Sequence, residues 1–219
     1  MVKVSTERAC IVKQIPYRLA EALENICKRK SLENITVSQI AQEAGVTRQV
    51  FYHHFDDKFE LASWIHYVHL YQSVKAALEK DPGQMWRLTT CNWMYQLSEN
   101  KAFYMNAFQS VSQKEFQRNI REFFYGAYSW QMKQRVKRDL NEEETFILRA
   151  YLLGSMETVY EWIAGGMVMP VERMVELQEL AMPEVLQNCV LSGENVPYKE
   201  ALKMMEGFLS EEGLLRGIS

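Results

Sequence analysis

The sequence predicts an all-α protein in which a small N-terminal unit of three helices continues into a larger helical bundle. Helical periodicity recurs along the chain, as in Leu19, Leu23 and Ile26, which fall at i, i+4 and i+7. Alternating β-branched runs and Asn-Gly or Asp-Gly hairpin signals are missing from the 219 residues. The 47% of hydrophobic and 24% of charged residues are typical of a folded globular chain.

Helix boundaries follow from capping residues, glycines and prolines. Pro16 should lie in the first turn of the first helix, because proline breaks a helix interior, so residues 1–13 form an extension or a short helix of their own. Later helices are expected to begin at four capping boxes: Thr36–Gln39, Asp57–Glu60, Ser112–Glu115 and Asn141–Glu144.

Prolines and glycines predict where the helices end. Asp81-Pro82-Gly83 should end the helix that begins near Asp57, and Gly165-Gly166 the helix that begins near Asn141. Pro170 begins a further segment that is broken or kinked at Pro183, and a last short helix is expected from about Tyr198 to Leu209.

The segment from Thr36 to Tyr52 predicts a helix-turn-helix. A short capped helix runs into Gly45, which can adopt the positive φ that ends a helix tightly. Thr47 can cap a second short helix. In a helix-turn-helix the second helix lies in the major groove of DNA, while the first helix crosses the DNA backbone. The alternative is a helical hairpin in a core, which would not need polar residues on its exposed side.

Seven side chains carry the predicted DNA contacts. Arg48 and Gln49, in the first turn of the second helix, are the candidates for base edges, since arginine prefers guanine and glutamine adenine. Phosphates are the expected partners of the other five: Thr36, Thr47, Tyr52, His53 and Lys58. His54 could contact phosphate or pack beneath the domain, and Gln39 could be only a capping partner.

The distribution of charge along the chain supports DNA binding by the N-terminal residues only weakly. The chain carries a net charge of −3, but residues 1–58 hold nine Lys/Arg against seven Asp/Glu. This positive balance is a weak electrostatic footprint for DNA binding. One recognition helix gives too little affinity alone, so two such units should be paired in a dimer.

The stretch ITVSQIAQEAGVTRQVFYHHFDDKFEL resembles the N-terminal DNA-binding domain of the TetR/AcrR family of bacterial regulators, in a match that runs from about Pro16 to Leu61. The resemblance implies a sequence-specific transcription regulator, expected to be a repressor, that binds a palindromic operator as a homodimer and responds to a ligand or protein effector. It divides the chain into a DNA-binding domain (1–61), an effector and dimerisation domain (62–192) and a C-terminal extension (193–219).

Aromatic residues crowd the region from Trp86 to Trp130. In members of that family an effector pocket lies among the corresponding helices, so an aromatic cavity for an apolar or cationic molecule is conceivable. Five residues are its candidates: Trp93, Tyr104, Phe108, Phe123 and Tyr128. The alternative, which we favour for most of the aromatics, is that they fill a helical core.

A second resemblance covers Asn100 to Pro170 and concerns the subgroup typified by activators of dihydroxyacetone kinase operons. It implies the alternative function, activation of a neighbouring metabolic operon under the control of a kinase-subunit-like protein. In the family the last two helices form the dimer interface, here about Asn141–Ala164 and Pro170–Val190. Apolar candidates for its seam, each of which could equally be intrachain core, are Leu148, Leu152, Val159, Met174, Leu177 and Leu180, with Gly154 and Ser155 permitting close approach.

Enzymatic, metal and membrane functions find little support. Neither a Gly-rich phosphate loop nor a nucleophile elbow occurs, and no cofactor is expected. His66 and His69 share a helix face at the spacing of a metal pair, but without a third ligand we expect exposed or capping histidines. The four cysteines are far apart, no stretch matches a membrane span or secretion signal, and we expect a cytoplasmic protein.

Overall fold

The structure is a computed structural model that describes residues 3–81, 84–109, 113–191, 200 and 203, and only the backbone of residues 3–13, 113, 115 and 119. Within these residues the chain forms ten α-helices and one 3-10 turn, and no β-strand. The predicted all-α class is therefore confirmed. The predicted helix at 198–209 lies outside the described residues except at positions 200 and 203.

The N-terminal unit contains α1 (Lys3–Cys27), the 3-10 turn (Leu32–Asn34), α2 (Val37–Glu43) and α3 (Arg48–His54). The long α4 (Lys58–Lys80) leads from this unit into the bundle, so the predicted domain boundary after residue 61 falls within a helix. The bundle contains α5 (Met85–Glu99), α6 (Lys101–Ala107), α7 (Gln113–Val136), α8 (Glu142–Ala164), α9 (Val171–Leu180) and α10 (Glu184–Val190).

The first helix differs from its prediction at Pro16. The helix continues through the proline from Lys3 to Cys27, whereas the sequence had placed Pro16 in the first turn. A proline removes one backbone N–H from the hydrogen-bond ladder, and here the turns on both sides of it continue the helix. Its C-terminal half packs inward through Leu19, Leu23 and Ile26, as the periodicity predicted.

Most predicted caps are present. Thr36 with Gln39 and Asn141 with Glu144 form reciprocal capping boxes. Asp57 accepts the N–H groups of Phe59 and Glu60, so it caps α4 alone. The predicted cap Ser112 lies outside the described residues, and α7 begins at Gln113.

The predicted helix ends also agree with the structure. Asp81 forms the C-cap of α4, and Gly165 that of α8. The following Gly166 has φ +80°, the left-handed conformation that favours glycine and closes a helix end. Pro183 divides the predicted last segment into α9 and α10.

One apolar core runs from the N-terminal unit into the bundle. Phe51 and Phe55 of the N-terminal unit are buried with Trp64 of α4, and Phe55 stacks edge-on against Trp64 with ring centroids 5.8 Å apart. Further along α4 the same core takes in aromatic residues of α5, α6 and α7. None of the described helices has both the length and the apolar character that crossing a membrane requires.

Candidate DNA interface and interior cavity

The turn between α2 and α3 is tight because Gly45 adopts φ +64°, a conformation that side-chain-bearing residues rarely take. The N–H of Val46 reaches back to the carbonyl of Ala41 at 2.9 Å, and the N–H of Gly45 to that of Gln42 at 3.1 Å. These bonds satisfy carbonyls at the end of α2 and set the direction in which α3 leaves the turn. The predicted helix-turn-helix is therefore present.

Arg18 of α1 fixes this turn from outside. Its guanidinium donates to the carbonyls of Ala44 at 2.5 Å and Gly45 at 3.4 Å. A Cβ added to Gly45 would lie 3.1 Å from the same guanidinium, so a larger residue would disturb both the backbone and this contact. This role of Arg18 was not predicted, since no local sequence pattern relates α1 to a turn 26 residues away.

Two threonines cap the motif. Thr36 Oγ1 accepts from the N–H of Gln39 at 3.3 Å, and Thr47 Oγ1 accepts from the N–H of Val50 at 3.2 Å. Gln39 returns the bond, because its Oε1 accepts from the N–H of Thr36 at 3.0 Å. Gln39 is thus a capping partner, and it also accepts from Lys30 Nζ at 3.0 Å.

Four side chains of α3 are exposed: Arg48, Gln49, Tyr52 and His53. Arg48 lies over the Tyr52 ring at 5.8 Å from its centroid, and the Tyr52 side chain is 48% exposed. The opposite side of the helix holds it in the core through Phe51, which is fully buried. A helix fixed on one side and polar on the other can present its free side to a groove.

Lys58 and His54, which were both considered as phosphate contacts, make contacts within the protein. Lys58 donates from Nζ to the carbonyls of Glu33 at 2.7 Å and Ile35 at 2.9 Å, so it ties the start of α4 to the segment before α2. An ammonium has three donors, which leaves one for a phosphate. His54 is buried and packs against Phe55 with centroids 6.5 Å apart, so of its two predicted positions it takes the one beneath the domain.

A basic triplet adjoins the helix-turn-helix, and it had entered the prediction only through the net charge of residues 1–58. Lys28, Arg29 and Lys30 follow the last turn of α1, and the first two are exposed. Arg29 forms an ion pair with Glu43 of α2 at 2.9 Å, and a shallow cleft lies between these residues and Gln39. A run of three cations at the end of a helix is a sequence pattern typical of a surface that contacts nucleic acid.

The five predicted effector residues do not form one site. Phe123 and Tyr128 line a cavity of about 60 Å³ among residues of α4, α5 and α7. Trp93, Tyr104 and Phe108 do not line it. They are buried core residues, with Trp93 and Tyr104 packed around His66 at centroid distances of 6.0 and 5.9 Å.

The prediction of exposed or capping histidines is wrong. His66 is fully buried, and His69 lies with its Nδ1 2.8 Å from the Tyr104 hydroxyl. Both occupy the inward face of α4, where burial lowers the pKa of His66 to about 3 and that of His69 to about 4. Glu24 of α1 approaches His69 Nε2 at 3.6 Å, and burial raises its pKa to about 7. Among the described residues no cluster of three or more potential ligands could hold a metal ion.

The predicted dimer seam proves to be mostly intrachain core. Leu148, Leu152, Val159 and Met174 are buried within the chain. The opposite side of α8 carries Phe146 and Leu153, which are 72% and 59% exposed, and Leu180 of α9 is 79% exposed. Both sides of α8 are apolar, so periodicity alone left seam and core open, and burial within the chain places these four residues in the core. Gly154 also lies on the exposed side, where a Cβ would meet nothing within 4 Å.

Two family models match the two parts of this fold. The model described as bacterial regulatory proteins of the tetR family matches residues 20–63, which contain the helix-turn-helix. A model of the C-terminal region of TetR transcriptional regulators matches residues 84–182, from the start of α5 to the end of α9. The chain belongs to the TetR family of transcriptional regulators. As a member of this family it is a DNA-binding transcription regulator.

Similar proteins agree with this membership. The chain is 31% identical over 101 residues to the HTH-type dhaKLM operon transcriptional activator DhaS of Lactococcus lactis subsp. lactis (strain IL1403), a match that covers 45% of the chain and 50% of that relative. The match thus spans only half the length of the relative.

Solved structures support the fold of this TetR-family chain. A dihydroxyacetone kinase operon activator DhaS superposes with a TM-score of 0.52 at 23% identity, covering 84% of the chain and 99% of that structure. A tetR-family transcriptional regulator from Streptomyces coelicolor superposes with a TM-score of 0.50 at 15% identity, covering 90% and 92%.

Proposed function

We propose that this TetR-family regulator binds a palindromic operator as a homodimer, through α3 of each protomer, under the control of an effector. The observation that carries the proposal is the exposed first turn of α3, where Arg48 and Gln49 project beside the capped N-terminus. A helix N-terminus attracts phosphate, and arginine and glutamine recognise guanine and adenine edges.

The remaining polar residues position the motif on the DNA backbone. Thr36, Thr47, Tyr52 and His53 are exposed on the same unit and serve as phosphate contacts. Lys58 contributes its remaining donor, and Lys28 with Arg29 extends the phosphate-facing edge beyond α2. In this division residues 1–61 bind DNA, residues 62–192 hold the effector and dimer surfaces, and residues 193–219 extend the chain.

The unpartnered side of α8 and α9 supports the homodimer. An open groove of about 730 Å³ lies between these helices, lined mostly by small and apolar residues such as Gly154, Trp162 and Leu177. Beside it lie Phe146, Leu153 and Leu180, which are largely exposed. Large contiguous apolar surfaces are characteristic of homodimer interfaces, and a second copy would bury this one.

Two directions of regulation are considered for this chain, repression and activation. Repression is the default for a dimer that covers its operator. One DhaS relative is described as an activator of the dhaKLM operon and the other as an activator of a dihydroxyacetone kinase operon, which favours the alternative of an activator. In that alternative we propose that a kinase-subunit-like protein controls the chain. Under either mode we propose that the chain acts in the cytoplasm by binding alone, without a reaction of its own.

A titration of fluorescent DNA from the upstream region of the chain's own gene tests the proposal. We expect two protomers per operator, with an affinity that falls as salt increases because phosphate contacts release counterions. The control is a scrambled duplex of equal length and composition. Equal binding to both duplexes, or salt-insensitive binding, would contradict sequence-specific recognition.

A further inference from the structure

Three polar side chains from three helices meet where the N-terminal unit joins the bundle: Glu24 of α1, His69 of α4 and Tyr104 of α6. We call them the junction cluster. His69 Nδ1 lies 2.8 Å from the Tyr104 hydroxyl, and His69 Nε2 lies 3.6 Å from Glu24 Oε1. The side chains of His69 and Glu24 are only 13% and 20% exposed, and Tyr104 is fully buried. One imidazole therefore faces a carboxyl group and a phenol in the interior.

The position of Glu24 on α1 disfavours its charged form. Burial raises the pKa of its carboxyl group to about 7. On the same helix Lys28 lowers this pKa and Glu21 raises it, each by less than burial does. The nearby Cys27 thiol stays neutral, because burial raises its pKa to about 12. The carboxyl group of Glu24 thus changes its charge close to neutral pH.

The groups that face Glu24 from α4 and α6 are neutral at that pH. Burial lowers the pKa of His69 to about 4 and that of the neighbouring His66 to about 3, and it raises the pKa of Tyr104. Protonated Glu24 can donate to neutral His69, whose other ring nitrogen can then donate to the Tyr104 hydroxyl.

Ionised Glu24 fits the junction cluster poorly. Its Oε1 is buried and has no hydrogen-bond partner among the described residues. Burying a charge is costly unless an opposite charge and hydrogen bonds compensate it, and the imidazole and the phenol that face this oxygen are both neutral. A carboxylate at this position is therefore more stable in water than between the three helices.

The helix α1 connects the junction cluster to the helix-turn-helix. It is continuous as far as Cys27 and packs against α2, α4 and α6. Arg18, which holds two carbonyls of the turn before α3, precedes Glu24 by roughly 9 Å along the helix axis. Beyond Glu24, the Cys27 carbonyl accepts a hydrogen bond from Asn106 of α6. A displacement of α1 at Glu24 would therefore move the turn relative to the bundle.

We propose that the junction cluster is a proton-dependent switch for operator binding. Protonated Glu24 keeps α1 packed against α4 and α6, with α3 in its binding position, whereas ionisation of Glu24 releases α1 and displaces α3. Operator affinity therefore falls as the pH rises through about 7, where Glu24 loses its proton. This inference rests on the proposed operator binding through α3, and it makes the proton a signal that this site receives.

The first test titrates the full chain with the duplex from the upstream region of its own gene. Between about pH 6.5 and about pH 8 the wild type should lose about eightfold in affinity, the fall in the protonated fraction of one group with a pKa of about 7. Glu24→Gln keeps the shape of the protonated group and should lose this factor. The pH response of surface contacts such as His53 is common to both proteins and cancels in the ratio.

The matched control is Glu21→Gln, which removes an exposed carboxylate from the same helix and should respond to pH as the wild type does. Circular dichroism at both pH values verifies that each protein is folded.

The second test follows ¹H–¹⁵N spectra of the DNA-free chain over the same pH range. The side-chain amide of Asn106 reports the contact of α1 with α6, and the N–H of Gly45 reports the turn before α3. Both resonances of the wild type should shift with one midpoint near pH 7. In Glu24→Gln this common transition should be absent.

Two outcomes would overturn the inference. One is an equal pH response of the wild type and Glu24→Gln, in operator affinity or in the two resonances. The other is a transition at Asn106 without one at Gly45, because the charge would then leave the turn unchanged. If both resonances titrate as expected but the upstream duplex binds no better than a scrambled duplex at any pH, the proposed function fails and the proton-dependent movement of the turn stands.

Discussion

The side-chain carbonyl of Asn106, on α6 of the bundle, accepts a hydrogen bond from the backbone N–H of Leu32 at 3.2 Å. The amide nitrogen of the same side chain donates to the carbonyl of Cys27 at 3.1 Å. One residue of the bundle therefore holds both ends of the connection between α1 and the 3-10 turn. Through it the position of the DNA-binding unit depends on α6.

Asn106→Ala should lower the free energy of unfolding by about 1–3 kcal/mol, because it leaves a half-buried N–H and a carbonyl without partners. It should also weaken operator binding, since the DNA-binding unit loses a fixed position on the bundle. Urea unfolding and operator titration measure the two effects. Asn34→Ala, which removes only an exposed bond to Ser31, is the control. A wild-type midpoint for the Asn106 variant would refute this role.

Arg48→Ala should reduce operator affinity by about 1–3 kcal/mol and reduce binding to scrambled DNA much less, because a base contact is lost. Titrations of both duplexes at one salt concentration measure the ratio. Tyr52→Phe is the comparison, since loss of a phosphate contact should weaken both duplexes alike. A neutral Arg48 variant would show that base recognition lies elsewhere.

Leu153→Glu should produce monomers, because it places a charge in the middle of the exposed apolar side of α8. Light scattering after gel filtration measures the mass. Operator affinity should fall with it, since two recognition helices would no longer be linked. Gln134→Glu adds the same charge at an exposed position of α7 and should leave the mass unchanged. If the Leu153 variant keeps the mass of the wild type, this surface is not the interface.

Glu24→Gln should change the pH dependence of stability. Burial raises the pKa of Glu24 from 4.5 to about 7, so the folded state keeps a proton that the unfolded state has lost. The resulting stability is complete below pH 4.5 and is lost as the pH rises through 7. Between roughly pH 6 and 8 the variant should gain about 1.4 kcal/mol relative to the wild type.

Chemical unfolding of the wild type and the Glu24 variant at about pH 6 and about pH 8 measures this difference in free energy of unfolding. The contributions of His66 and His69 cancel in the comparison, because both proteins contain these histidines. Those histidines have lowered pKa values, so each favours folding above 6.5 and loses this contribution as the pH falls. Glu21→Gln, on the exposed side of the same helix, is the control. A difference that does not change with pH would mean that Glu24 is ionised in the folded state throughout this range.

How well the sequence predicted each feature depended on how local its cause is. Thr36, Gly45 and Thr47 act within four residues of themselves, and their caps and turn appear as predicted. Leu152 and Leu153 are neighbours on a helix that is apolar on both sides, and only the packing of α8 on the other helices of the bundle decides which one is buried. His66 is polar by type but buried by its place on α4, which no local pattern reports.

The exposed side of α3 can change without cost to the fold. Phe51 and His54 hold the helix in the core, and the Thr47 cap and the Gly45 turn set its direction, whereas Arg48, Gln49 and His53 face outward. Surface substitutions of this kind usually alter stability by less than ~0.5 kcal/mol. Mutation can therefore redirect the regulator to a new operator while the protein stays folded, so duplicated copies of its gene could diverge to control different promoters.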